Sequence, residues 1–182
     1  MKRKFSLLIV FIIFAIGFWV WFDKVLQKER PMRADVRLEI DRRIREIDSL
    51  AKKTNSPELF KSAKGAISQL TFIGTPAAPY LLKETLNKER NNWARMTYIQ
   101  ILAGIENKES VPSLINILKD EKEDGWVRMQ SASALGILGD ERAIAPLKEA
   151  LSYDDKRISA LAAAALMTMG KEEIIEEVRK TR

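Results

Sequence analysis

Covalent chemistry needs nucleophiles, bases or metal ligands, and this sequence lacks the commonest of them. Its 182 residues include no cysteine and no histidine. That removes disulfides and thiolate chemistry, along with the side chain most used as a general base or transition-metal ligand. Carboxylates and lysines remain. Asp124 stands two residues before Trp126, an acid near an aromatic that superficially suits a nucleic-acid site. The surrounding charge argues otherwise. The net +6 divides into +3 from Lys2, Arg3 and Lys4, +4 over residues 23–64 and −1 over residues 65–182, where 16 basic side chains are set against 17 acidic ones. A stretch so near neutrality has no electrostatic footprint for a polyanion. No catalytic, cofactor-binding or metal-binding residue is therefore nominated, no cofactor is expected, and the chain reads as a binding protein rather than an enzyme.

Noncovalent recognition is better supplied. Lys83, Glu84, Asn116, Lys119, Lys148 and Glu149 fall between the apolar positions of successive short helices, where their side chains point outward and can meet a protein partner. Each alone is also what an ordinary solvated surface looks like. Trp93 and Trp126 begin equivalent helices. Tryptophan is enriched at binding hot spots, but its recurrence at one structural position fits packing between neighbours first.

These residues must be positioned by helices, and the pattern of helices repeats. Trp93-Ala-Arg95-Met96 returns 33 residues later as Trp126-Val-Arg128-Met129; at the same offset Leu102 falls on Leu135, Leu114 on Leu147 and Leu118 on Leu151. An offset of 31 places Leu135 on Leu166 and Gly139 on Gly170. A period of this length made of two helices signals a solenoid, because neither helix buries its apolar stripe without a neighbouring unit. The predicted pairs are Ser56 to Gly74 with Thr75 to Leu86, Trp93 to Ile105 with Val111 to Lys119, Trp126 to Leu138 with Ala143 to Leu151, and Arg157 to Met169 with Glu172 to Lys180. Ser56 and Ser110 are expected as N-caps, Pro57 at the first helical position, and Gly74, Gly139 and Gly170 as stops.

The third unit carries a resemblance. Val127-Arg128, Ser131-Ala132, Ala134-Leu135-Gly136, Leu138-Gly139-Asp140, Ala143-Ile144 and Pro146-Leu147 together resemble the short bacterial HEAT repeat of the phycobilisome-lyase type. The second unit matches more loosely, with Asn107 near the Asp140 position; the fourth has Lys171 there and no proline. The first keeps Gly74 and Pro79. The resemblance implies an all-α solenoid of about four helix pairs whose second helices line a protein-binding surface. It also implies close helix approach at the small residues Ala132, Ala134, Gly136 and Ala162 to Ala165. Bilin attachment and the nucleic-acid binding of HEAT-like DNA glycosylases are minor alternatives that nothing beyond the repeat supports.

Ahead of the repeats, Phe5 to Phe22 is 18 residues without a charge, a helix of about 27 Å, close to the hydrocarbon thickness of a bilayer. Trp19 and Trp21 stand where a membrane-interface belt would be. The block exceeds a usual signal-peptide core and no small-residue cleavage site follows it. The expected organisation is an anchor over 1–22, a stalk with an amphipathic capping helix over 23–55, and repeats over 56–182, at about 56–88, 92–120, 125–153 and 156–182. On the stalk, Val36, Ile40, Ile44, Ile47 and Ala51 form one stripe; docking on the first repeat is the first reading and pairing with a partner the second. Basic residues flank the block on both sides, and the very short N-terminal tail tips the expectation toward a single-pass protein of the bacterial inner membrane with extracytoplasmic repeats. In function, the chain is expected to be a scaffold or adaptor for a membrane-associated protein partner, touching lipid through its span. The alternative is an accessory subunit of a multi-subunit membrane complex.

Overall fold

The computed structural model describes residues 33–53 and 61–180, and every described element is helical. Among the described residues nine α-helices follow one another: α1 (Ala34–Lys53), α2 (Lys64–Ile73), α3 (Ala78–Leu86), α4 (Asn92–Gly104), α5 (Val111–Lys119), α6 (Gly125–Leu138), α7 (Ile144–Ala150), α8 (Lys156–Thr168) and α9 (Glu172–Lys180). Among the described residues no helix is long and apolar enough to cross a membrane. The apolar block over 5–22, with Trp19 and Trp21, lies outside the described residues, as does the Ser56-Pro57 start of the first repeat.

From α2 onward the helices pair, and the pairs stack in two layers. The first helices α4, α6 and α8 lie side by side, while α3, α5 and α7 each pack against the first helix of the following pair. One continuous core results, running from Ile99 and Leu114 through Leu135 and Leu147 to Leu166 and Ile175. The leucines matched at offsets of 33 and 31 are the core: Leu102, Leu135 and Leu166 are each fully buried, as are Leu114 and Leu147. A solenoid buries its apolar stripes only between neighbours, so the sequence periodicity is the periodicity of burial.

Small residues set how closely the first helices approach. A Cβ placed on Gly136 would lie 2.6 Å from Ala165 Cα and 2.7 Å from Ala165 Cβ, so α6 and α8 touch there backbone to backbone. Gly139 ends α6 at φ 59°, ψ 28°, and Gly170 follows α8 at φ 67°. In this left-handed region glycine has no steric penalty. The equivalent position after α4 is Glu106, which also adopts φ 54°.

Some predicted boundaries shift for a physical reason. A 3-10 turn precedes three of the second helices, at Thr75–Ala77, Lys108–Ser110 and Glu141–Ala143. Ser110, expected as an N-cap, makes no capping bond; it is buried, and its hydroxyl donates to Asn107 O at 2.7 Å. The extra turn absorbs the free N–H groups that a cap would have satisfied. For the same reason the helix predicted from Ala143 begins at Ile144.

The stripe on α1 is turned inward. Ile40, Ile44, Ile47 and Ala51 are buried, whereas Val36 is only half-buried. Polar contacts fix the helix against the first repeats: the Tyr98 hydroxyl donates to Asp48 Oδ1 at 2.7 Å, Arg90 pairs with Asp48 at 2.7 Å, and Asn91 Nδ2 donates to Ala51 O at 3.2 Å. Burial, together with the adjacent Asp48 carboxylate, pushes the Tyr98 hydroxyl far above its ordinary pKa.

Candidate protein-interaction surfaces

The first helices of the last three pairs begin on the same device. Asn91, Asp124 and Asp155 cap α4, α6 and α8, with their side-chain oxygens accepting from Trp93, Trp126 and Arg157 N–H respectively. The caps stand at offsets of 33 and 31, matching the repeat, yet the sequence reading passed over them in favour of Ser110. The signal was an Asn or Asp two residues before each of Trp93, Trp126 and Arg157. Asp124, weighed above for base chemistry, holds two backbone N–H groups on one carboxylate oxygen. Asp155 and Asp140 are pulled down to about 2, first by the side chains of Arg157 and Arg142 and then by the N–H groups they accept.

Because the caps repeat, so do the residues that follow them. The Trp93 and Trp126 rings stack with centroids 6.5 Å apart and planes 25° apart. The Arg157 guanidinium lies 5.1 Å from the Trp126 centroid on the next rung. Both stacking and cation–π attraction are worth roughly 1 kcal/mol, so this ladder ties three repeats together along one edge. A cavity of about 240 Å³ opens beside it, lined by Asn91, Asn92, Trp93, Met96, Asp124 and Trp126. The ladder uses much of both rings for packing, although Trp126 keeps 48% of its surface exposed.

Two residues further on, the repeat places a donor against the preceding pair. Arg95 Nε donates to Thr85 O, Arg128 Nε to Leu118 O and Ser159 Oγ to Leu151 O, at 2.8, 3.0 and 2.8 Å. All three acceptors are carbonyls at the C-terminal end of a second helix, where four carbonyls lack intrahelical partners and the dipole favours a cation. Arg95 also pairs with buried Glu123, while Arg128 lies 5.1 Å from the Tyr153 ring centroid. Burial raises the Glu123 carboxyl, but its bonds from Arg95 and from the Asp124 N–H outweigh that and leave it below its ordinary value.

The surface residues nominated from sequence lie on the second helices, and most are engaged in ion pairs. Lys119 on α5 pairs with Glu149 on α7 at 2.6 Å, and Lys148 on α7 pairs with Glu177 on α9 at 2.8 Å. Glu84 on α3 accepts from Arg90 at 2.6 Å. Lys83 and Asn116 are exposed on α3 and α5. The structure thus brings four of the six into ion pairs, three of those four in bridges between successive second helices.

The first helices present a different face. Along the outer side of α6 run Trp126, Gln130, Ser133 and Ile137, at helical spacing, and beside them Gln100 and Gly104 on α4 and Ala164 and Thr168 on α8. From 129 to 138 and from 158 to 168 the chain has no charged residue. Ile137 is 58% exposed. An uncharged strip with an exposed aromatic and aliphatic side chain has the composition of an interface core, from which charge is depleted. Sequence reasoning missed this strip because an exposed Ile and a half-buried Ser give no signal until the helix is placed. Among the described residues no cluster of acidic side chains is arranged to hold a metal ion.

No curated protein matches the chain. Residues 81–168 match the family model described as HEAT repeats, a span that begins within α3 and ends with α8.

Proposed function

We propose that the protein is a membrane-anchored interaction module, held to the bacterial inner membrane by the apolar block over 5–22 and binding a protein partner through its HEAT repeats. HEAT repeats generally mediate protein–protein interaction. The observation that carries the reading for this chain is the uncharged strip on the first helices, with Trp126 and Ile137 exposed at its two ends. The second-helix ridge supplies the polar border, and its ion pairs at Lys119, Glu149 and Lys148 are exposed enough to exchange for a partner's charges. Orientation toward the extracytoplasmic side and the finer likeness to the phycobilisome-lyase type belong to the same proposal. The partner is a protein resident in or near the membrane, since the anchor reading ties the chain to the bilayer.

The test is co-purification from detergent-solubilised membranes with the full chain, with Ser133→Arg and Ile137→Arg, and with a control keeping residues 1–55. Partners held by the full chain and lost from both the double variant and the control support the strip as the binding surface. Partners retained by the double variant but lost when Lys119 and Lys148 are changed to Glu transfer recognition to the second helices. The same partners on the 1–55 control would place binding on the span or stalk and sink the proposal.

A further inference from the structure

The chain ahead of the repeats enters the folded domain at an identifiable corner. Arg37, in the first turn of α1, holds its guanidinium 5.9 Å from the ring centroid of Tyr80, in the first turn of α3. Further along α1, Asp48 pairs with Arg90 just beyond the end of α3, and Ala51 O accepts from Asn91. α1 therefore runs beside α3 in the same direction, and its N-terminal end stands with the turn that joins α2 to α3. The 3-10 segment Thr75–Ala77 forms that turn, and Phe72 precedes it in the last turn of α2.

This corner is apolar and uncharged. Phe72 is 89% exposed, so its ring packs against almost nothing in the domain. Gly65 to Leu82 is 18 residues without a charge, and Thr75, Pro76 and Pro79 are exposed within it. Leu38, the residue after Arg37, is 65% exposed. On α1 the nearby charges cancel, Asp35, Glu39 and Asp41 against Arg37, Arg42 and Arg43. The later turns on the same edge differ. Glu106, Lys108 and Glu109 occupy the second, Asp140, Glu141 and Arg142 the third, and Lys171, Glu172 and Glu173 the fourth. Each of those three carries one net negative charge, whereas the first carries none.

The place where the chain enters α1 points to what meets this corner. The apolar block Phe5 to Phe22 leads into α1 through residues 23–33. Those eleven residues span at most about 40 Å, so a bilayer holding the block is within their reach. We propose that Phe72 and the uncharged turn beside it rest in the lipid interface, a reading that depends on the membrane anchor proposed above. Phenylalanine and leucine are side chains that bury at the boundary of headgroups and acyl chains. One exposed ring binds lipid weakly by itself, but a tether makes the contact intramolecular and raises the effective concentration of the surface. The acidic later turns keep the rest of the edge off an anionic membrane, so the domain touches at one corner. The outer side of α4, α6 and α8 stays uncovered for the protein partner.

The experiment uses the full chain in phosphatidylcholine vesicles. Because the chain has no cysteine, Thr75→Cys and Glu89→Cys can each carry one fluorophore. Thr75 lies beside Phe72, and Glu89 lies in the loop after α3 at the opposite edge. Flotation with the vesicles reports the anchor, and quenching by lipids with a nitroxide near the headgroup reports the corner. The expected result is flotation of both labelled chains, with quenching at position 75 and not at position 89, unchanged in high salt. Phe72→Glu should leave flotation and helical circular dichroism intact while quenching at position 75 is lost. A chain that does not float overturns the anchor and the corner contact together. Flotation without quenching at position 75 leaves the anchor standing, overturns the corner contact and returns Phe72 to a protein partner. Equal quenching at both positions, quenching that survives Phe72→Glu, or quenching abolished by salt overturns the contact as well.

Discussion

Arg95 and Glu123 meet in two parallel hydrogen bonds, Nη1 to Oε1 at 2.8 Å and Nη2 to Oε2 at 2.7 Å, with the two side chains only 2% and 4% exposed. The pair joins α4 to the loop before α6, and Arg95 Nε holds Thr85 O at the same time. Removing one partner leaves the other charge buried, a loss of about 3 kcal/mol or more. Glu123→Ala should lower the stability of the repeat domain by that amount in urea denaturation. Arg95→Met combined with Glu123→Leu should recover most of it, because an apolar pair has no desolvation cost to offset. A single substitution costing under about 1 kcal/mol would mean that water reaches the pair.

Gly136 makes the second prediction. With Ala165 Cα 2.6 Å from the position of its absent Cβ, Gly136→Ala forces α6 and α8 apart and should cost about 1–3 kcal/mol through overpacking. Gly104, at the end of α4, has nothing within 4 Å of a built Cβ and no positive φ. There the same change should stabilise by about 0.5 kcal/mol through helix propensity. Equal thermal shifts for the two variants would contradict the close contact.

Much of this was legible from the chain, and for one reason: a solenoid writes its contacts as a period. Leu102, Leu135 and Leu166 announce the core because each meets the same neighbours, and the helix pairs after Asn91 fall within one or two residues of the predicted bounds. What the period cannot show is where equivalent residues part ways. Arg95 and Arg128 occupy the same place, yet one finds a buried carboxylate and the other lies over Tyr153, because Glu123 and Tyr153 stand in loops of different composition. The surface nominated on the second helices was periodic too, but sequence gave no sign that Lys119 and Lys148 reach across to Glu149 and Glu177. Those pairings depend on the spacing between repeats, which is set by small residues such as Gly136 rather than by the charged ones.

Glu106 provides the third prediction, since it holds φ 54° where the next two repeats have glycine. A side chain in the left-handed region costs about 1 kcal/mol. Glu106 is exposed on the surface, so no packing is lost with it. Glu106→Gly should therefore raise the urea midpoint at unchanged slope, by the equivalent of up to about 0.5 kcal/mol after the added chain entropy of glycine is subtracted. Glu106→Val should do the reverse, because a β-branched residue fits that region worst.

Acid should loosen the repeats in a defined window. Asp140 and Asp155 have native values of about 2 against an ordinary 3.8. A carboxylate lowered on folding contributes stability that is complete above its unfolded pKa and disappears as pH falls through its folded one. The contribution should thus be whole above about pH 4 and gone near pH 2. Asp140→Asn and Asp155→Asn keep a capping oxygen while removing the titration, so the double variant should show a flatter acid limb over that interval in thermal melts. Added salt should shrink the difference, because both carboxylates are on the surface.

The last prediction separates binding from stability on the second-helix ridge. Lys119 and Glu149 bridge α5 and α7 at 2.6 Å with side chains 45% and 51% exposed, and exposed pairs of this kind contribute under about 1 kcal/mol. A double-mutant cycle with Lys119→Ala and Glu149→Ala should therefore give a coupling energy of a few tenths of a kcal/mol that fades with salt. Such a pair opens at little cost, leaving both charges available to a partner. If the ridge borders the binding surface, the same two substitutions should slow association more than they speed dissociation, since charges at an interface rim act mainly through encounter. A large coupling energy together with unchanged association rates would make the ridge a structural brace and confine recognition to the uncharged strip on α4, α6 and α8.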